Sequence, residues 1–229
     1  WNFNYTQYKD VDTYNIVLDG LTTQNYVFEY VNGTLTVNQK QVTITWGETS
    51  FTYDGKSHVP TATANGVFDI DAQYVATVVT GNQINAGTDY PAKVTGLTGT
   101  KSGNYIIKSD ADIDELFVIN PKTISDSDVT IANIADQIYT SYNITPSLTI
   151  SYNGMTLSVK ENDSDTTYDY SVTYSSNINV GEATITITGN GNYIGSTSKK
   201  FNIIPKSISG ANVVITEDYD LTFTGEQIT

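Results

Sequence analysis

The 229-residue sequence contains no cysteine, no arginine and a single histidine. Without cysteine, the chain has neither a disulfide framework nor a thiolate nucleophile. It carries 25 acidic and 11 basic residues, all of the latter lysine, so it lacks the basic face that binds phosphates. This argues against nucleic acid as a partner. The formal charge of −14 also opposes binding to an anionic membrane surface. No apolar run approaches the roughly 18 residues of a membrane-spanning helix, so we expect no membrane insertion.

Threonine, valine, isoleucine and tyrosine dominate instead, and the apolar residues recur with a period of two. This period is typical of strands with one buried face. The longest helical candidate, SDADIDELFVIN, lacks an i, i+3, i+4 stripe and ends as a strand, so the predicted class is all-β. In the segments ATITIT and QVTITW, the residues predicted to face a core are Ala183, Ile185, Ile187, Val42, Ile44 and Trp46.

Three motifs recur in one order, and the first two of them recur at intervals of 82 to 86 residues. The first is an apolar strand followed by a lysine, at Lys40, Lys122 and Lys206. The second starts with an aromatic residue, at Tyr53 (YDGKSHVP), Tyr139 (YTSYNITP) and Phe223 (FTGEQIT). The third is NAG at Asn85 and NVG at Asn179, each of which leads into an alternating strand and then an Asn-Tyr turn. These turns lie at Asn104 and Asn192, and the first copy supplies the turn at Asn25. A fixed order of independent motifs indicates tandem repeats.

The Asn-Tyr turns have a structural interpretation. Glycine and asparagine suit turn positions with positive φ. The tyrosine that follows can lay its ring over the sheet edge and keep its hydroxyl in solvent. The abundance of tyrosine, 17 residues, is explained by its preference for strands, and stacking on sugars is the alternative.

The repeats predict four segments. Residues 1–40 form the C-terminal half of a module, 41–122 and 123–206 are complete modules, and 207–229 begin a further module. The junctions are short and two contain proline, which predicts a semi-rigid rod. Each module is large enough for an Ig-like sandwich of two antiparallel sheets. A β-grasp-like module is the alternative, but it needs a helix.

The segments YTSYNITPSLTISYNG, YDYSVTYSS and NVGEATITITGNGNY resemble the bacterial Ig-like surface repeats. FTYDGKSHVP with GTDYPAKVTGLTG is similar to the related MBG (YDG/YGX-type) modules of adhesins and mucus-binding proteins. The resemblance covers nearly the whole chain and implies an extracellular or cell-surface location, with host glycans or mucins as partners. In the copy that starts at Tyr139, Ser141 and Tyr142 replace the Gly and Lys of the motif, so a ligand site built on those residues would be missing there.

His58 is the one candidate for acid–base chemistry, in DGKSHVP beside Asp54 and Lys56. A catalytic histidine needs a nucleophile and an orienting acid, and the sequence has no G-x-S-x-G elbow. The next copy places Thr145 at the corresponding position, which indicates that the histidine is replaceable. We therefore expect no enzyme activity and assign no catalytic or cofactor-binding residue.

The carboxylates form three clusters: Asp69 and Asp71; Asp110, Asp112, Asp114 and Glu115; Asp163 and Asp165. DADIDE resembles a calcium loop but lacks its turn glycine, and an alternating strand would place its aspartates on one solvated face. A calcium site between modules is the alternative. A paired-carboxylate glycosidase site is compatible with the spacing, but the acids do not recur and a small sandwich has little room for a cleft. We assign no metal ligand and expect no cofactor.

An intramolecular Lys–Asn isopeptide bond needs a buried acid beside the pair. The recurrent lysines Lys40, Lys122 and Lys206 lie at the predicted junctions and not in mid-strand, so no such bond is expected. The partial modules 1–40 and 207–229 would each expose strand edges and half a core. We expect them to be ordered by a longer parent chain or by a neighbouring copy.

Three function classes fit the sequence. The first is the stalk or spacer of a secreted or surface-anchored bacterial adhesin-like protein. The second is a module that binds mucin, glycan or matrix. The third is an ancillary array of an extracellular enzyme. Exposed aromatic residues in a groove would favour the second class, and smooth faces covered by threonine and aspartate would favour the first.

Overall fold

The computed structural model describes the backbone of Asn2 and Phe3 and all of residues 9–210. This part of the chain is built from strands, which confirms the all-β class. Its helical segments are two 3-10 helices, Ala72–Tyr74 and Ser102–Asn104. The described residues therefore contain no α-helix of the kind that a β-grasp module needs, and no helix that could span a membrane. Most of the predicted further module, from residue 211 on, lies outside the described residues.

The described residues divide into two compact units. The first unit contains residues 9–131 with the strand at 2–3, residues 149–172 and residues 187–197. The second unit contains residues 132–148, 173–186 and 198–210. These units do not follow the predicted module boundaries, and the four segments stay a prediction.

The strands that lie wholly in the first unit are β1 Asn2–Phe3, β2 Asp12–Val17, β3 Gly33–Val37, β4 Lys40–Trp46, β5 Ser50–Thr52, β6 Ala62–Asn65, β7 Ala76–Thr80, β8 Gly87–Thr98, β9 Tyr105–Ile107, β10 Asp114–Asn120, β11 Lys122–Thr123, β12 Thr130–Ile131, β14 Ile150–Tyr152, β15 Met155–Thr156 and β18 Tyr193–Ile194. They form sheets in the orders β1-β2-β3, β6-β4-β9, β5-β10-β8-β7, β11-β18 and β12-β14-β15.

The second unit is built around one four-stranded sheet with the order β13-β19-β17-β16. Its strands are β13 Gln137–Ile138, β16 Tyr170–Ser175, β17 Gly181–Gly189 and β19 Ser196–Ile204. Residues 170–172 of β16, 187–189 of β17 and 196–197 of β19 belong to the first unit. The edge strand β13 runs parallel to β19, with Gln137 opposite Ile203.

Burial alternates along the strands as the period of two predicts, because successive side chains point to opposite faces. In β17, Ala183, Ile185 and Ile187 are fully buried, which confirms their predicted orientation. In β4, Val42 and Ile44 are also buried. Trp46, the third predicted core residue of β4, is only half-buried because its indole N–H reaches outward to the Asp112 carbonyl, 3.1 Å away.

Strand pairing recurs along the chain in the order of the sequence motifs. The parallel pair β4–β9 places Lys40 opposite Tyr105, and the parallel pair β11–β18 places Lys122 opposite Tyr193. Likewise β5 runs parallel to β10, as β13 does to β19, and the four-stranded orders β5-β10-β8-β7 and β13-β19-β17-β16 correspond strand for strand. Lys40 and Lys122 thus each start a strand that pairs beside an Asn-Tyr turn, whereas Lys206 lies outside a strand.

Candidate functional site

His58 lies in a structural setting. Its Nε2 is 2.8 Å from Asp54 Oδ1, its ring stacks on Phe51 at 4.9 Å between centroids, and its backbone exchanges two hydrogen bonds with Gln83. Burial opposes the charge of Asp54, but hydrogen bonds from the Lys56 N–H and from His58 outweigh it and lower the pKa of Asp54. Within residues 9–210, no hydroxyl nucleophile contacts the imidazole.

The position equivalent to His58 was predicted wrongly. The Ile144 N–H donates to the Asn177 carbonyl as the His58 N–H does to the Gln83 carbonyl, and the Ile144 carbonyl accepts from the Asn177 side chain. Ile144, and not Thr145, is therefore the counterpart of His58. The turn residues support this alignment. Gly55 has φ +79° and lies three residues before His58, and Ser141 has φ +72° and lies three residues before Ile144. An isoleucine at that position leaves no acid–base group there.

The acidic clusters do not converge. Asp110 pairs with Lys108 at 2.9 Å, Asp114 pairs with Lys93 at 3.0 Å, and Glu115 Oε1 accepts the N–H of Leu116. Of the three aspartates in the predicted alternating strand, only Asp114 lies in β10, because β10 begins at that residue. Nowhere in the part of the chain that the structure describes do three His, Cys, Asp or Glu residues come together as a metal site.

The other two acidic clusters also have local partners. Asp71 accepts a hydrogen bond from the Tyr105 hydroxyl at 2.6 Å. Asp163 pairs with Lys160, and Asp165 accepts the backbone N–H groups of Glu161 and Asn162, which lowers its pKa. Asp71 therefore binds a residue 34 positions away, whereas Asp163 and Asp165 stabilise their own loop.

Two of the Asn-Tyr turns, at Asn104 and Asn192, bond to segments that precede them by about a hundred residues. Asn192 reaches across more than one hundred residues of sequence to the segment before β8. Its side-chain Oδ1 accepts the N–H of Ala86 at 2.7 Å, and its Nδ2 donates to Asn85 Oδ1 at 3.1 Å. Its backbone carbonyl accepts the N–H of Lys122 at 2.9 Å. We call this arrangement the asparagine clamp.

The clamp occurs a second time, at Asn104. Its Oδ1 accepts the N–H of Val11 at 2.9 Å, and its Nδ2 donates to Asp10 Oδ1 at 2.7 Å. Lys101 adds an ion pair to Asp10 at 2.7 Å. The hydrogen bonds from Asn104 and Lys101 lower the pKa of Asp10. The pairs Asp10–Val11 and Asn85–Ala86 precede β2 and β8, so the same position of consecutive repeats is held in the same way.

Gly191 has φ +63°, as expected of a glycine in this turn, but the expected roles of the asparagines and tyrosines were wrong. Neither Asn104 nor Asn192 has positive φ; their side chains bond to the preceding repeat instead. Tyr105 and Tyr193 are each only 3% exposed, and the Tyr105 hydroxyl bonds to Asp71 rather than to solvent. Burial, together with the hydrogen bond to Asp71, raises the pKa of Tyr105.

A buried tyrosine cluster lies at the second clamp. The Tyr193 ring packs edge-on against Tyr53 at 5.5 Å and against Tyr152 at 6.3 Å. The Tyr152 hydroxyl reaches the Tyr53 carbonyl at 3.4 Å. Burial raises the pKa of Tyr193, as expected for a phenol held away from water. Residues from the 41–122 and 123–206 segments thus share one small core.

Lys122 carries a charge at this same core. Its Nζ lies 2.8 Å from Asp128 and 2.9 Å from Asp126, and 5.1 Å from the centre of the Tyr152 ring. Burial opposes the charge, but the hydrogen bonds to Asp128 and Asp126 outweigh it and raise the pKa of Lys122. The sequence interpretation placed no acid beside this lysine. The amine stays protonated, which suits an ion pair and not a nucleophile.

A cleft of about 600 Å³ opens beside the first clamp, and we call it the junction cleft. Its apolar wall presents Phe68, Ile70 and Tyr74, which are 58%, 69% and 44% exposed. Its polar lining includes Lys40, whose Nζ lies 3.6 Å from the centre of the Phe68 ring, and Asp71. The sequence analysis noticed the aspartates of this loop but not Phe68 and Tyr74, which flank them.

Comparison of the chain with protein-family models and with curated proteins finds no match in either set. The functional interpretation therefore depends on the geometry of the clamps and the junction cleft.

Proposed function

We propose that the chain is a non-catalytic spacer of Ig-like repeats in a secreted or surface-anchored bacterial adhesin-like protein. The observation that supports this is the recurrence of the asparagine clamp at Asn104 and Asn192. A spacer that holds a head domain away from a surface must resist bending where its repeats meet. Each clamp joins two repeats through the Oδ1 and the Nδ2 of one asparagine side chain. Two bonds from one planar amide constrain the orientation of the repeats as well as their distance.

The second junction has further contacts that oppose bending. The Tyr53, Tyr152 and Tyr193 rings pack together, and the Asn153 side chain donates to the Asp54 carbonyl at 3.2 Å. A hydrogen bond contributes about 1 kcal/mol to stability. Several such contacts around one short connection support a stiff junction.

Distance measurements across this junction test the proposal. Because the chain has no cysteine, exposed Thr100 and Ser196 can be replaced by cysteine and spin-labelled without competing sites. We expect a narrow distribution of label–label distances, and a broader one when Asn192→Ala is added. The control is Asn82→Ala, which removes an asparagine whose Nδ2 bonds only to Ser57 within one repeat. A broad distribution in the unaltered background would contradict the spacer proposal.

A second function, binding of mucin-type or matrix glycans, is favoured by the junction cleft. Exposed rings beside carboxylates and amines match the way sugars are bound, by stacking on their apolar faces and hydrogen bonding to their hydroxyls. Phe68, Tyr74 and Asp71 supply both kinds of group on one wall.

Titration with mucin-type oligosaccharides, followed by NMR, checks this second function. We expect chemical-shift changes at residues of the junction cleft and at least about a tenfold weaker affinity in Phe68→Ala/Tyr74→Ala, a loss of about 1.4 kcal/mol or more. Tyr142→Ala is the matched control, since Tyr142 is 78% exposed and does not line the cleft. Equal binding by the double variant and the control would exclude the cleft as the binding site.

A further inference from the structure

The single sulfur atom of the sequence lies where two repeats touch. The sequence contains one methionine, Met155, and no cysteine, so Met155 is the one side chain that can take up oxygen at sulfur. It lies in the short strand β15, directly opposite Tyr152 of β14, with a tight turn at residues 153 and 154 between them. Residues that face each other across an antiparallel pair share one side of it, so Tyr152 and Met155 point to the same neighbour.

That neighbour is the segment of residues 53–55 in the preceding repeat. The Tyr152 hydroxyl reaches the Tyr53 carbonyl at 3.4 Å. The Asn153 side chain donates to the Asp54 carbonyl at 3.2 Å. The hairpin formed by β14 and β15 thus bonds to two successive residues of the earlier motif.

Met155 packs on the next residue of that segment, Gly55. A Cβ built on Gly55 would collide with the Met155 Cε and lie 2.8 Å from its Sδ. The thioether therefore fills the space that a side chain at Gly55 would take. Met155 is only half-buried, so a molecule as small as a peroxide reaches its sulfur without unfolding of the chain.

We propose that Met155 is an oxidation site and that its sulfoxide loosens the junction between the 41–122 and 123–206 repeats. The oxidant is a peroxide. The O–O bond of hydrogen peroxide breaks, one oxygen forms a bond to Sδ, and the other leaves as water. Sulfur is thereby oxidised by two electrons and the peroxide is reduced by two. The effect on stiffness rests on the proposed spacer function, whereas the oxidation rests on the contact alone.

The sulfoxide fits the contact in neither of its two epimers. An oxygen directed toward Gly55 meets a backbone that the thioether already touches. An oxygen directed away from Gly55 makes the side chain polar, and its hydration favours conformations of Met155 that turn toward solvent. Both outcomes withdraw the side chain from Gly55 and weaken the hairpin contact.

Peroxide treatment of the folded 229-residue chain, followed by hydrogen exchange, tests this proposal. Peptide mass spectrometry should find one added oxygen at Met155. The reporters are the N–H of Leu157, which bonds to Ile150 in the hairpin, and the N–H of Lys122, which bonds to Asn192 in the clamp. We expect both amides to exchange about tenfold faster after oxidation, because a polar oxygen is forced into an apolar contact.

Met155→Leu is the matched control. Leucine keeps the apolar character and approximate size of methionine but cannot take up oxygen. Both amides of this variant should exchange as slowly as in the untreated chain, before and after peroxide. The control separates oxidation at sulfur from damage to other side chains.

Three results would each overturn the proposal. The first is a folded chain in which Met155 resists a peroxide concentration that oxidises free methionine. The second is an oxidised chain whose two amides exchange at the original rate, and the third is a Met155→Leu variant that responds to peroxide as the unaltered chain does. Failure of the spacer proposal is a different result, because broad label–label distances before oxidation contradict the spacer and leave these three measurements unchanged.

Discussion

Replacing Tyr193 by alanine is expected to lower the free energy of unfolding by about 3–5 kcal/mol, the usual cost of removing a large buried aromatic side chain. Tyr193 is 3% exposed and packs edge-on against Tyr53 and Tyr152. Its loss would leave a cavity where two repeats meet and remove ring contacts worth about 0.5–1.5 kcal/mol each beyond simple burial.

Chemical denaturation measures this effect, and hydrogen exchange locates it. The matched control is Tyr26→Ala at low protein concentration, which removes the same residue from the same motif where it is 76% exposed, and it should change stability by less than about 0.5 kcal/mol. We expect faster exchange of amides on both sides of the clamp, at Ala86 and at Lys122, in Tyr193→Ala. If the two variants were equally stable, the tyrosine cluster would not hold the repeats together.

Gly81→Ala is expected to destabilise the chain by about 2–4 kcal/mol, through a strained backbone and a steric clash that cannot be relieved cheaply. Gly81 has φ +108°, a conformation that residues with a side chain rarely adopt. A Cβ there would lie 2.1 Å from the Pro91 carbonyl oxygen and 3.0 Å from Ala92 Cα. Both atoms belong to β8, and Ala92 is only 2% exposed, so the strand could not move aside without disturbing the core.

Thermal and chemical denaturation of Gly81→Ala and Gly103→Ala check this prediction. A Cβ on Gly103 meets no atom within 4 Å, and its φ lies outside the left-handed region, so this control should be close to neutral. By the usual relation between stability and melting temperature, the predicted destabilisation lowers the melting temperature by several degrees. If Gly81→Ala instead melted within a degree or two of the control, the backbone of β8 at Pro91 would have moved to accommodate the added Cβ.

The sequence by itself determined the all-β class and the buried face of the main strands. Alternation is a local property: in β17 the order of Ala183, Ile185 and Ile187 suffices to place them on one face, whatever packs against them. The order of the motifs likewise predicted which segments would form equivalent strands. Lys40 pairs with Tyr105 and Lys122 with Tyr193, each in a parallel strand pair.

Only the tertiary structure decided what the recurrent residues do. The asparagines stood out in the sequence as turn residues, but Asn104 and Asn192 bond to Val11 and Ala86, which are 93 and 106 residues away. No local pattern records such a partner, because the two segments meet only once the strands between them have paired.

The acids beside Lys122 were missed for a related reason. Asp126 and Asp128 are near in sequence, but only the turn after β11 brings both carboxylates to one amine beside the Tyr152 ring. Periodicity therefore set which residues are buried, and the folded chain set which of them bond, because hydrogen bonds and ion pairs depend on distances that the sequence order does not contain.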